Sequence, residues 1–205
     1  PAVVKKVGGT MYGSESTLNY GRGEGLTDSQ MTLIADGDDI AVGAFTVRVI
    51  EAPHSPGNIA PGFIRDRLSS PCHTLKFKDG GCFVFHFSHP EGNILVLPSA
   101  NYIPGFLDGL KARVVYLGIG ALGRQSDDFR SEYWRHTVEQ LEPELVIPVH
   151  WDHFGHSLSK PLKPLPVPAD NVAKSREFLA AQDANVHFPL AFESVRLTPE
   201  GAVVQ

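Results

Sequence analysis

Two short apolar runs, Arg113 to Leu117 and Leu145 to Val149, enclose a helical pattern, and this limits the folds open to the chain more than any other feature. Uninterrupted aliphatic runs of this length read as strands covered on both faces. The helix between them is well marked. Ser126 can cap it, Asp127 and Asp128 suit its first turn, and Phe129, Tyr133, Trp134, Val138 and Leu141 form an apolar stripe. Pro143 ends it. A strand, helix, strand unit results. A second helix is expected through Leu179 with Asp170 as its cap. It follows the segment Lys160 to Pro168, whose prolines at 161, 164, 166 and 168 favour an extended crossing.

The earlier part of the chain alternates short β-branched and aromatic runs with Gly/Pro turns. From Ala44 to Ala52, Phe45, Val47 and Val49 alternate with Thr46, Arg48 and Ile50, a strand with one buried face that ends at Pro53-His54. From Cys82 to His89, Phe83, Phe85 and Phe87 share a face. Asn93 to Leu97 follows after Pro90-Glu91-Gly92, so the pair reads as a hairpin. Ser194 to Leu197 is the expected last strand. The 205 residues, 42% hydrophobic and 20% charged, suffice for one full core, and no repeat or linker divides them. The reading is a single mixed α and β domain over residues 1–205.

Charge and cysteines narrow the function classes. A formal net charge of −5 gives no general attraction to nucleic acid, so none is expected as a partner. No apolar run reaches the ~20 residues of a membrane span, and no signal peptide pattern opens the chain, which leaves the cytoplasm as the expected compartment. Residue 1 is Pro rather than Met. Cys72 and Cys82 cannot make a disulfide framework or a four-cysteine zinc site, and two buried free thiols are expected.

Function is sought at strand ends. His54 and His150 each stand where a strand runs out into a loop, and His150 opens the cluster His150-Trp151-Asp152-His153-Phe154-Gly155-His156. Imidazoles gathered at one edge of a sheet can hold a metal-activated water. No His-x-His-x-Asp-His run is present to complete such a site. A competing signal is Gly118-Ile119-Gly120-Ala121-Leu122-Gly123, which matches the Gly-x-Gly-x-x-Gly dinucleotide pattern directly after a strand. That chemistry needs a helix opening within the glycine turn, so that its amides face a pyrophosphate. Here Arg124 and Gln125 intervene before the cap at Ser126, and the acidic partner would have to be Asp152, beyond the usual ~20-residue spacing. Glycines that only permit a tight loop beside the site are the favoured explanation.

The order of these segments resembles the metallo-β-lactamase fold hydrolases, closest to their broad branch of bacterial metal-dependent hydrolases. It is carried by Phe45 to Ala52 with Pro53-His54-Ser55-Pro56-Gly57, Gly80 to Phe85, Ile94 to Asn101, Val115 to Gly120, and Val146 to Asp152. The resemblance implies an α+β, αββα sandwich of two mixed sheets flanked by helices, with metals at one edge. It begins just after the place of the His-x-His-x-Asp-His motif, so the first strands would be missing and the domain incomplete at its N-terminus. Residues 1 to 9 look like the helix that follows the motif. His54 then matches the isolated histidine of the first metal site, and His150 the last histidine, which serves the second. The position of a metal-bridging Asp holds Ser99, a poor ligand beside a carboxylate, which puts the second metal in doubt. Zinc is implied, one or two ions, with iron or manganese as other divalent choices.

The implied function is metal-dependent hydrolysis of a small-molecule substrate. A metal lowers the pKa of water toward ~7, and the hydroxide attacks an ester, lactone, amide or phosphodiester. Asp152 is a candidate for taking a proton or for orienting a ligand histidine, against a plain surface carboxylate. Ser99, Asn101 and His153 are candidates for supporting the ligands or touching substrate. His156 is read as supporting or solvent-facing, and His86 as a hydrogen-bonded, partly buried side chain. Gly57 to Pro71 and Leu158 to Pro168 are the expected pocket walls. Two other classes stand beside this one: a non-catalytic or truncated member of the same fold that binds a ligand or partner, and a nucleotide-binding oxidoreductase using Gly118 to Gly123.

Overall fold

The strand, helix, strand unit forms one side of a six-stranded mixed sheet. In the computed structural model, which describes residues 1–205, the sheet comprises β3 (Asp39–Val42), β4 (Phe45–Ala52), β5 (Cys82–Ser88), β6 (Ile94–Leu97), β7 (Val114–Gly118) and β8 (Leu145–Val149), adjacent in that order. Neighbours from β3 to β6 are antiparallel, and β6, β7 and β8 are parallel. Ala52 at the end of β4 pairs with Cys82 at the start of β5. This topology brings the C-terminal ends of β4, β6, β7 and β8 and the start of β5 to one end of the sheet. Loops leaving that end carry His54, Ser99, Gly120 and His150.

The two faces follow from the register. Ile50, Val84, Leu95, Leu97, Val115, Leu117 and Val146 point to one side and form the main core with α3 (Asp127–Thr137) and α4 (Val172–Ala180). The expected stripe delivers Tyr133 and Trp134 from α3, then Val138 and Leu141 just beyond it, into this core. Phe129 is only half-buried against it, and Trp134 meets Phe178 of α4 edge to face at 6.4 Å. Ser126 caps α3 through the Phe129 amide, as its sequence position implies. Asp170 does not cap α4. Asn171 does, accepting from the Lys174 amide, because the buried Asp170 carboxylate is taken by the Ala121 and Asn171 amides.

On the opposite side lie Phe83, Phe85, Phe87, Ile94, Val96, Tyr116 and Val149, all half-buried. Part of this face is covered by a hairpin, β9 (Val195–Thr198) and β10 (Gly201–Val204), which packs over Val114, Leu145 and Ile147. Arg113 fastens the hairpin. Its guanidinium holds Glu144 through two bonds of 2.7 and 2.9 Å and donates to the Thr198 carbonyl at 2.7 Å. Of the expected sandwich, then, one large mixed sheet is present, with small two-stranded pieces against its second face.

The N-terminal segment forms a satellite core. α1 (Ala2–Val7), the helix read into residues 1 to 9, contributes Val4 to a cluster with Leu18, Leu26 and Met31. β1 (Met11–Gly13) pairs in parallel with β2 (Met31–Leu33), and α2 (Glu15–Gly23) lies between them in sequence, capped by Ser14. α2 also anchors the long loop between β4 and β5. Buried Asn19 donates to the Ile64 carbonyl and buried Ser16 accepts from the Ile64 amide, each at 2.9 Å. A side chain at Gly23 would strike the Leu68 carbonyl, 2.0 Å from its Cβ position, so helix and loop touch backbone to backbone. No helix is long and apolar enough to cross a membrane.

Candidate active site

His150 is the first residue past β8, and its backbone sits in the left-handed region at φ +58°. That conformation disfavours side chains with a Cβ by roughly 1–2 kcal/mol, and at a strand end it redirects the imidazole. The ring lies against Gly120 in the loop after β7. A Cβ at Gly120 would stand 2.6 Å from His150 Nδ1, so only glycine leaves the imidazole where it is. Gly118 meets the Pro98 backbone in the same way, and Gly123 meets the Asn171 carbonyl. All three glycines of the Gly-x-Gly-x-x-Gly pattern are thus used by close packing.

The same loop argues against dinucleotide binding. It continues into a 3-10 turn, Leu122–Arg124, and α3 opens only at Asp127. The Ala121 amide, which a pyrophosphate would need, donates to the Asp170 carboxylate at 2.9 Å. A buried anion at that amide repels the phosphate the pattern would bind.

His54 is half-buried beyond β4. Its Nδ1 lies 3.0 Å from the Ser55 carbonyl, and an Nδ1–H donated there leaves the Nε2 lone pair free to bind a metal. The loops after β4 and β6 are clamped together. The Ala100 amide donates to buried Ser55 Oγ at 2.8 Å, and Asn101 Nδ2 donates to the His54 carbonyl at 2.8 Å. Asn101 therefore holds the backbone of His54, a positioning contact. Ser99, one residue before this clamp, shares a cleft with the Cys82 thiol. Burial is the main cause that pushes the Cys82 thiol above its ordinary value, with neighbouring Ser99 opposing it, so the group stays protonated near neutrality.

Ser99, Cys82 and His150 line one cleft of about 550 Å³ on the less covered face of the sheet. Its other wall comes from Tyr12, Ser14, Thr17 and Ile34, not from the Gly57–Pro71 and Leu158–Pro168 segments expected from the sequence. Leu158 to Leu162 instead wall a second cleft beyond Trp151. His54 does not line the His150 cleft, although its loop is tied to the residues that follow Ser99. Asp152 is half-buried, pairs with Pro164 through its backbone, and makes no side-chain hydrogen bond or ion pair. His153 accepts from the Gly155 amide at 3.0 Å and meets His156 edge to face, a contact internal to its loop. His86 is buried and bonds to the Lys111 carbonyl through Nε2 at 2.9 Å, away from the site. Cys72 and Cys82 are both free, and both half-buried rather than enclosed. Cys82 is the site residue that sequence reasoning missed, and its place beside Ser99 depends on the β5–β6 register.

No group of three or more His, Cys, Asp or Glu side chains converges to hold an ion. A zinc site needs three or four protein ligands. The ligand-type residues of this chain at the sheet end do not complete one by themselves.

No family model matches the chain, and no curated protein does. Solved structures are similar to it. The metallo-beta-lactamase fold protein YhfI from Bacillus subtilis is 11% identical with a TM-score of 0.51, covering 92% of this chain and 67% of that one. A putative Zn-dependent hydrolase of the metallo-beta-lactamase superfamily from Thermotoga maritima is 14% identical, with a TM-score of 0.39 over 75% of this chain and 60% of its own. Zn(2+)-bound PqqB from Methylobacterium extorquens is 9% identical, with a TM-score of 0.45 over 87% of this chain and 62% of that one. The chain therefore spans about two thirds of the length of these structures. At such identities the likeness, carried by YhfI, is one of fold.

Proposed function

Since the chain has the metallo-β-lactamase fold, we propose that it carries one part of a metal-dependent hydrolase site. In this reading His54 and His150 are imidazole ligands, and residues 1–205 bring no third His, Cys, Asp or Glu into a common metal-binding group with them. The ion would be zinc, iron or manganese. Substrates would be small molecules with an ester, lactone, amide or phosphodiester bond. The observation that carries the reading is His150. Its left-handed backbone and its seat on Gly120 fix an exposed imidazole at the strand ends of the sheet, where His54 and Ser99 also emerge. Strain held at one residue is a pointer to function rather than to stability. The chain's own residues have definable tasks. Asn101 and Ser55 hold the His54 loop to the Ser99 loop, Gly120 orients His150, and Ser99 with Cys82 presents neutral hydroxyl and thiol groups to the cleft.

A second reading, binding without turnover, is favoured by the incomplete donor set. The two separate by experiment. The protein would be assayed on a panel of chromogenic esters, lactones, amides and phosphodiesters, with and without chelator. Hydrolysis that chelation stops, and that His54→Ala or His150→Ala reduces by two orders of magnitude or more with unchanged circular dichroism, supports the hydrolase. Turnover that survives chelation and both substitutions contradicts it. No turnover on any substrate after metal reconstitution supports the binding reading.

A further inference from the structure

Beyond Trp151 the chain builds a cleft of about 750 Å³, within the range of small-molecule sites and separate from the one His150 lines. Trp151 is 7% exposed and meets the Phe188 ring edge to face at 5.8 Å. Arg176, from α4, lies over both rings. Its guanidinium carbon is 3.8 Å from the Phe188 centroid and 5.1 Å from that of Trp151. Aromatic faces attract the cation and fix the plane of the fork, while its N–H edge stays free.

That edge has no partner. Arg176 makes no ion pair and no side-chain hydrogen bond, Lys160 lines the same cleft equally unpaired, and no acidic side chain borders it. Two unneutralised cations in one apolar cleft stand out in a chain of net charge −5. The rim adds exposed apolar surface, with Leu158 at 53% and Phe192 at 85% exposure. Phe192 holds its ring out from a left-handed backbone at φ +70°.

From this juxtaposition we infer that the cleft binds an amphipathic carboxylate, its acyl or aryl body along Leu158, Phe188 and Phe192 beside Trp151 and its carboxylate on the Arg176 fork with Lys160 near by. Arginine matches a carboxylate with two parallel N–H bonds, and an apolar tail supplies the area that a small anion lacks. The site stands on its own geometry and does not depend on whether His150 binds a metal.

Decanoate, decanol and acetate are suitable probes, titrated calorimetrically below micelle concentrations into the protein and into Arg176→Gln, a change at an exposed position. Tryptophan emission gives a second readout, because Trp151 lines the cleft and Trp134, the other tryptophan, does not. The expected result is one decanoate per chain with a change in emission that Trp151→Phe removes. Decanol and acetate bind at least tenfold more weakly. Arg176→Gln lowers decanoate affinity by roughly ten- to a hundredfold, the scale of a charge-assisted bond, and leaves decanol unchanged. Equal affinity for decanoate and decanol overturns the proposal, as does acetate binding as tightly as decanoate. So does concentration-dependent self-association that excludes decanoate, which would make the cleft a contact between copies.

Discussion

On the helix-covered face of the sheet, Val84, Leu95, Val115, Leu117 and Val146 are wholly enclosed, whereas Phe83, Phe85, Phe87, Val96 and Tyr116 on the opposite face keep part of their surface in water. The strands and their register are the same for both sets. What differs is the layer laid over them: two helices with large apolar stripes on one side, a small hairpin and the N-terminal segment on the other. The candidate cleft opens on the less covered side, where Cys82, Ser99 and His150 meet the Tyr12–Thr17 region. Stability and candidate chemistry are thus divided between the faces, and substitutions on each should differ in kind.

The largest effect is expected at Leu117, fully buried beneath the helices. Leu117→Ala should cost about 3–4 kcal/mol in chemical denaturation. Phe85→Ala, on the open face, should cost roughly half of that despite the larger side chain, because part of the ring is already in water. Equal costs would mean that the second face is covered in solution, and the contrast would break.

Gly120→Val comes next. The new side chain must push the His150 ring aside, at a cost of about 1–3 kcal/mol from overpacking. The NMR signals of the His150 imidazole should shift, while those of His86, distant on the covered face, should not. Asp170→Asn should cost about 1–2 kcal/mol by weakening two buried bonds to the Ala121 and Asn171 amides, and hydrogen exchange should quicken at Ala121 more than in α3. Uniform quickening would show that Asp170 serves the whole core and not the loop beside His150.

The smallest effect concerns the hairpin over the second face. Arg113 holds the Glu144 carboxyl below its ordinary value of 4.5 through their hydrogen bonds. A carboxyl lowered in this way stabilises the folded chain above the unfolded value, and the contribution is lost as pH falls through the lowered one. The pair is partly exposed, so the loss should stay below about 1 kcal/mol. Arg113→Met should flatten this acid-side slope by lowering stability at neutral pH by up to that amount, with any further loss from the Thr198 carbonyl bond independent of pH.

Much of this architecture was legible because it is written in local periods. Leu145 to Val149 and the α3 stripe announce themselves by runs and spacing, and the strand ends that carry His54 and His150 follow directly. What escaped is non-local. Cys82 meets Ser99 only through the β5–β6 register, and the cleft wall at Ser14 and Thr17 comes from a segment distant in sequence. Asp170 and Asn171 are both good caps by residue type. The Ala121 amide, far away in the chain, captures Asp170 and leaves the cap to Asn171. The spacing of Gly118 to Gly123 matches a phosphate loop, the late start of α3 already favours a tight loop instead, and the neighbours of each glycine add what that loop packs against.

The proposed hydrolase site rests on His54 and His150 as metal ligands. Its most direct test is zinc titration of the 205-residue chain by calorimetry, alongside His54→Ala and His150→Ala. Expected is weak binding that each substitution reduces at least tenfold. Zinc bound tightly by the chain and unaffected by either substitution would contradict the assignment.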